Sequence, residues 1–202
     1  MKKIEIKQFD KIKDITNSDI KIYNINALTE DKKSVSHKTI LQSSSIHIII
    51  NNINNKQLVF SKQIRIPVLL NDNTNNGITV ELFSFDINDT LPLKEIVKKE
   101  ILDKCKYNVN IEDIKYLKTL KKSVDLSGSE ENLFYIEVTN DMLINNNLEF
   151  NNYDIIYVNY LELDNYFFKD NIHTNSITAF GVQKFLNHLL IQKSLKEYKK
   201  FF

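Results

Sequence analysis

The chain has 202 residues, 42% of them hydrophobic, which is enough for one large domain with a substantial core, or one domain with an added arm. Lys+Arg number 27 against 26 Asp+Glu, leaving a net charge of +1, so no bulk field draws the chain to nucleic acid or to a membrane surface. The one cysteine, Cys105, excludes an intramolecular disulfide and a zinc site built on several thiolates.

Short basic runs (Lys98-Lys99, Lys121-Lys122, Lys199-Lys200) read as solvated faces. The first residues alternate charged with apolar types, and the longest apolar run, Ile48-Ile49-Ile50, is far too short to span a bilayer. The expectation is a cytoplasmic protein with neither signal peptide nor membrane anchor. Asparagine clusters such as Asn51-Asn52, Asn75-Asn76 and Asn145-Asn146-Asn147 separate strongly apolar segments. They read as turns, because Asn tolerates left-handed backbone angles and the chain has only 3 Gly and 2 Pro.

In chain order, Ile4-Glu5-Ile6 and Ile20 to Ile25 alternate as half-exposed strands of an antiparallel arm do, and residues 1–40 are assigned to that arm. Residues 41–202 form the main domain. Ser45 to Ile50 and Gln57 to Gln63 predict a hairpin, continued by Ile64-Arg65-Ile66-Pro67, with Pro67 marking an edge or bend. A polar loop runs from Asn71 to Gly77, where Gly77 supplies a positive φ. Ile78 to Phe83 reads as one strand. Leu93, Ile96, Val97, Ile101 and Cys105 recur at helical spacing, behind Thr90 as cap and Pro92 in the first turn. Strands follow at Tyr116 to Leu120, Leu133 to Val138 and Ile155 to Val158. Leu161 to Phe168 and Ile177 to Tyr198 predict helices, Gly181 weakening the second only slightly. No internal repeat is present. Strands followed by two helices imply an α+β layer fold.

Several strings in this order resemble the Nudix hydrolase superfamily, and more narrowly its ADP-ribose and UDP-sugar diphosphatase branch, over Ser44 to Leu190. Lys62-Gln63-Ile64-Arg65-Ile66-Pro67 is similar to the branch's K-Q-F-R-P stretch, and Val80-Glu81-Leu82 to the strand entering the Nudix box. Ser127-Gly128-Ser129 followed by Leu133-Phe134-Tyr135 resembles the substrate loop and the strand behind it, and the last helix falls where the branch places one. The box, G-x5-E-x7-R-E-U-x-E-E-x-G-U, lies without a gap on Phe85 to Tyr107. Glu100 matches the conserved glutamate, and Ile101 and Tyr107 match bulky positions. Lys99 and Asp103 depart conservatively, and Leu91 fits this branch better than the general box. Phe85 for the first glycine, Lys104 for the last glutamate and Lys106 for the second glycine depart severely.

The resemblance implies a Nudix fold, a mixed sheet between helices, with an N-terminal antiparallel arm that serves a homodimer. It also implies Mg²⁺ held by helix carboxylates, here Glu100 and Asp103, and by the Ser84 carbonyl, with Lys104 in place of a family ligand. The expected further catalytic acid falls near Glu149 to Asp154, where Asn151 and Asn152 stand closest; Glu149 replaces it only in a shifted loop. Arg65, Glu81 and Ser127, Gly128 and Ser129 are the implied substrate contacts. From the residues alone, Arg65 also reads as a strand-end surface arginine, Glu81 as an outward strand residue, and the serine loop as an ordinary tight turn. Glu100 and Asp103 equally read as an exposed acidic face paired with lysines, Glu100 with Lys104 at i,i+4.

Lysine at position 104 does more than remove a ligand. It moves the formal charge of the trio from −3 to −1 and puts an ammonium where a cation would sit. Two unit charges about 4 Å apart at an effective dielectric near 20 interact by roughly 4 kcal/mol, and a divalent ion by about twice that, before the lysine relaxes. The four histidines (His37, His47, His173, His188) are scattered without metal spacing, and there is no serine-nucleophile motif. Two functions follow. One is a nucleotide-sugar diphosphatase-like protein with catalysis impaired or lost that retains a nucleotide-sugar ligand. The other is an active Mg²⁺-dependent hydrolase of ADP-ribose or UDP-sugars with a metal site rebuilt from Glu100, Asp103 and Glu149 or Asp86. A purely structural partner without ligand is a third class. No role with nucleic acid or membrane is expected.

Overall fold

The structure, a computed structural model, describes residues 4–14, 21–29, 31–71, 76–87, 90–124, 126–144, 153–168 and 172–198. The elements in chain order are β1 (Ile4–Asp14), β2 (Lys21–Thr29), β3 (Ser34–Leu41), β4 (Ser45–Asn52), β5 (Gln57–Ile64), α1 (Ile66–Asn71), β6 (Ile78–Glu81), β7 (Phe83–Asp86) and α2 (Leu93–Cys105). After α2 come β8 (Lys115–Lys121), β9 (Glu130–Val138), β10 (Tyr153–Asn159), α3 (Leu163–Phe168) and α4 (Ser176–Tyr198). Single 3₁₀ turns lie at Ile111–Asp113 and Asn140–Met142.

The chain divides into two compact units, one of Met1–Ser45, Asp86–Asn88 and Thr119–Asn132, the other of Ile46–Phe85, Asp89–Lys118 and Leu133–Phe202. The first contains a three-stranded antiparallel sheet in the order β1-β2-β3. β1 carries irregularities between Ile6 and Gln8 and between Lys11 and Lys13, where an extra residue bends and twists the strand. The arm that alternation predicts at β1 and β2 has a third strand, β3, whose polar sequence gave no such signal. The loop after β8 is fastened to β3 in the same unit: the Ile40 N–H and the Thr39 hydroxyl both donate to the Leu126 carbonyl, at 2.9 and 2.7 Å.

The second unit holds the apolar core. The larger sheet runs β10-β5-β4-β9-β8, with β6 paired to β5 and β7 to β4. β4 is interior to that order and buried at every position. A strand covered on both faces needs a continuous apolar run, which Ile46 and Ile48-Ile49-Ile50 supply. Gly181 allows α4 to lie close on this sheet: a Cβ there would meet Leu82 Cδ1 at 3.0 Å and Ile49 Cδ1 at 3.4 Å. Ile96, Val97, Ile101 and Cys105 are the buried stripe of α2, as their spacing predicts. Among the described residues no helix is long and apolar enough to cross a membrane.

Several local expectations change. Ile66–Asn71 is a short helix with Pro67 in its first turn, where a missing N–H costs nothing, rather than a continuation of β5. Ile78 to Phe83 is interrupted at Leu82, whose N–H leaves the ladder to bond the Thr178 hydroxyl at 2.9 Å. Thr90 does not cap α2; Pro92 stands at the N-cap and no side-chain cap bond forms. The helix at Leu161 to Phe168 begins two residues later, after a turn.

Asparagines act differently from expectation. Among the described non-glycine residues with positive φ, Lys32, Lys56, Lys106 and Ser123 stand beside a single asparagine, Asn76. Asn51 and Asn52 do not form a turn but end β4, and the asparagines there and in the turn that follows work through their side chains. Asn52 Nδ2 donates to Asn140 Oδ1 at 2.9 Å, and the Asn140 N–H to Asn54 Oδ1 at 2.9 Å. Asn140 Nδ2 reaches Asn55 Oδ1 at 3.3 Å. Together they clasp the hairpin to the turn after β9. Gly77 does have the expected positive φ, +70°, and needs glycine for a second reason: a Cβ would lie 2.7 Å from Leu69 Cβ and 2.9 Å from the Arg65 carbonyl.

Candidate functional site

The Phe85 to Tyr107 segment begins at the end of β7 and contains α2. α2 has Glu95 in its first turn and Lys104 in its last, the charge placement that complements the helix dipole. It stops at Lys106, which adopts the left-handed conformation (φ 59°, ψ 21°) and returns its N–H to the Leu102 carbonyl at 3.1 Å. That is the position the box gives to its second glycine, so the turn geometry is present although the residue is a lysine. The following chain zips onto the turn after β9, through Asn108 N–H to the Met142 carbonyl and Ile144 N–H to the Lys106 carbonyl, both 2.8 Å.

On the helix face, Lys104 Nζ lies 3.0 Å from Glu100 Oε2 as an i,i+4 pair, both side chains half-buried. The same ammonium sits 5.1 Å from the centroid of the Phe85 ring. Phe85, Lys104 and Glu100 therefore meet on one side of the helix. Asp103, directly before Lys104 and three residues after Glu100, is exposed. Ser84 is half-buried in β7, and Asp86 ends that strand exposed. Glu149, Asn151 and Asn152 lie outside the described residues. The Tyr153 hydroxyl donates to the Lys104 carbonyl at 3.4 Å, and burial, followed by nearby Cys105 and Glu100, pushes its phenol up to about 12. Burial also raises the Cys105 thiol.

A divalent cation held by this face needs hard, anionic oxygens. The described residues of this face do not fit one: position 104 carries an ammonium already engaged by Glu100. Among the described residues no group of three or more His, Cys, Asp and Glu is placed to hold a metal.

Arg65 and Glu81 are brought together. Arg65 Nε donates to Glu81 Oε1 at 2.9 Å and Nη2 to Oε2 at 2.6 Å, a bidentate pair. Glu81 is only 3% exposed and takes three further bonds, from Thr79 Oγ1 at 2.7 Å, Asn175 Nδ2 at 3.1 Å and Gln63 Nε2 at 3.3 Å. Burial raises its pKa, but the bonds from Arg65 and Thr79 and the Arg65 charge outweigh that, and the carboxyl lies below its ordinary value. Asn175 also caps α4, its Oδ1 accepting from the Thr178 N–H at 2.9 Å. One carboxylate thus ties the end of β5, strand β6 and the start of α4. Thr79, two residues back on the same strand face, was a local signal left unread, whereas nothing local links Gln63 and Asn175 to position 81.

Ser127, Gly128 and Ser129 form the turn between β8 and β9, in the other unit. Ser127 Oγ donates to the Lys122 carbonyl at 3.2 Å and lies 3.1 Å from Ser129 Oγ, which accepts from Gln42 Nε2 at 2.9 Å. Gly128 has φ +60° and open space where a Cβ would be. The loop's hydroxyls are spent on its own turn and on Gln42.

No protein-family model matches the chain. Among solved structures it is similar to one described as an ADP compounds hydrolase, with a TM-score of 0.72 over 95% of this chain and 96% of that one. Sequence identity is 9%, so the likeness is one of fold. The shared fold is an α+β arrangement, a mixed sheet with helices and an antiparallel N-terminal sheet.

Proposed function

We propose that this chain is a Nudix-fold protein built on the frame of a nucleoside-diphosphate-sugar diphosphatase in which pyrophosphate hydrolysis is lost or strongly impaired. The observation that carries this reading is Lys104, 3.0 Å from Glu100 and 5.1 Å from the Phe85 ring centroid. A metal-binding face needs its acids free and convergent; here one acid is neutralised by a resident ammonium and another is exposed. The fold likeness to an ADP compounds hydrolase supports the frame and, with it, a ligand of the nucleotide-sugar class. Arg65 and Glu81 in this reading set the wall of that site as a pair. Residues 1–40 serve as the arm of a homodimer.

The test is hydrolysis of ADP-ribose and UDP-glucose with Mg²⁺ or Mn²⁺. The expected result is no turnover above background. Turnover at ordinary enzyme rates that Glu100→Gln abolishes would establish the active hydrolase with a rebuilt site instead.

A further inference from the structure

A cavity of about 570 Å³ lies between α4 and one face of the larger sheet, and none of its lining residues belongs to the Phe85 to Tyr107 segment. Side chains alternate across a strand, so Ile49 on β4, Tyr135 and Glu137 on β9 and Lys115 and Leu117 on β8 share this face. Tyr116, between the two β8 residues, and Phe134, just before Tyr135, meet edge-on on the other face, ring centroids 5.6 Å apart. The wall is one stripe of α4 in which Phe180, Lys184, His188 and Ile191 follow at helical spacing. The volume falls in the range of small-molecule sites, roughly 300–1,000 Å³.

The polar groups on the floor are set in place without a ligand. The Tyr135 hydroxyl accepts from Asn51 Nδ2 at 2.8 Å and donates to Glu137 Oε1 at 2.7 Å. Tyr160 donates in turn to Asn51 Oδ1 and packs edge-on against Phe185, ring centroids 5.0 Å apart. Lys115 Nζ is held 5.7 Å from the centroid of the Tyr135 ring. The lining carries two cations, Lys115 and Lys184, and one carboxylate, Glu137, which the tyrosine already engages. Phe180, Phe185 and Leu117 offer an apolar surface beside these cations.

We propose that this groove binds a small anion carrying an aromatic or heteroaromatic ring, its ring against Phe180, Phe185 and Leu117 and its carboxylate or phosphate at Lys115 and Lys184. The site is independent of the altered box. A carboxylate and a nucleotide phosphate share the required chemistry, and the two are told apart by titrating the full chain separately with 2-naphthoate and with AMP, followed by calorimetry and by NMR. Saturable binding of at least one probe is expected, with shifts at Leu117, Tyr135, Phe180 and Phe185. Lys184→Glu or Lys115→Glu should weaken it about tenfold or more, while Lys193→Glu, elsewhere on α4, should leave it unchanged. Neutral 2-naphthalenemethanol should bind about tenfold more weakly than the carboxylate if naphthoate is the ligand. Binding should persist in Glu100→Gln, which separates this site from the box. The proposal is overturned if neither probe binds at roughly millimolar concentration, or if binding is indifferent to both lysine reversals in variants that circular dichroism shows to be folded.

Discussion

Lys104 lies over the ring of Phe85, its Nζ 5.1 Å from the centroid, and pairs with Glu100 at 3.0 Å. Two residues that the sequence resemblance aligns with a glycine and a carboxylate are partners between β7 and α2. The contact is worth on the order of 0.5–1 kcal/mol at a half-exposed site. A double-mutant cycle of Phe85→Ala and Lys104→Ala, read by urea unfolding, should return a coupling energy of that size. A coupling indistinguishable from zero would mean that the two substitutions are unrelated.

Lys106 and Gly77 make opposite predictions from the same backbone region. Lys106 holds φ 59° at the end of α2, so Lys106→Gly should stabilise the protein by about 1 kcal/mol, since a Cβ is disfavoured there. Gly77→Ala meets both a φ of +70° and a contact of 2.7 Å with Leu69 Cβ, and should cost more than about 1 kcal/mol. Thermal midpoints moving in opposite directions would confirm both; equal or same-sign shifts would reject the geometry at one of the turns.

Glu81 should dominate one part of the acid response. Its pKa is lower in the folded chain than its ordinary value of 4.5, so its ionised form stabilises the fold above that value. The contribution is lost as pH falls from that value through the folded pKa. Unfolding of the wild type should therefore show a loss of stability over this acidic window that Glu81→Gln largely removes. Arg65→Ala leaves the buried carboxylate without its bidentate partner and should cost about 1–3 kcal/mol at neutral pH. A wild-type acid response matching that of Glu81→Gln would remove Glu81 from this role.

Cys105, buried on the inner stripe of α2 with its thiol pKa raised, should not react with Ellman's reagent in the native protein and should react fully once urea unfolds it. Fast native-state labelling would place α2 in a different packing.

What could be read in advance was what is local or periodic. The continuous isoleucines of β4, the stripe of α2 and the run of α4 each announce their burial through spacing. The Glu100–Lys104 pair was legible because helix neighbours are fixed at i,i+4. The Arg65–Glu81 pair was not, because it depends on where β5 and β6 meet; their ladder sets Ile64 opposite Ile78 and Ser61 opposite Glu81. Phe85 against Lys104 was hidden for the same reason, each residue being readable only as a departure. β3 escaped notice because Ser34–Leu41 is largely exposed and lacks the apolar alternation of its neighbours. Helix Ile66–Asn71 was missed because Pro67 signals a strand edge and a helix first turn equally.

The claim at the centre of this account is that Lys104 stands where a divalent cation would sit. Its most direct measurement is a Mn²⁺ titration by electron paramagnetic resonance on the wild type and on Lys104→Glu. The wild type should hold no Mn²⁺ at concentrations below about 1 mM. The variant, relieved of a repulsion of several kcal/mol at most, should bind about tenfold more tightly or better. Micromolar Mn²⁺ binding by the wild type, unimproved in Lys104→Glu, would contradict it.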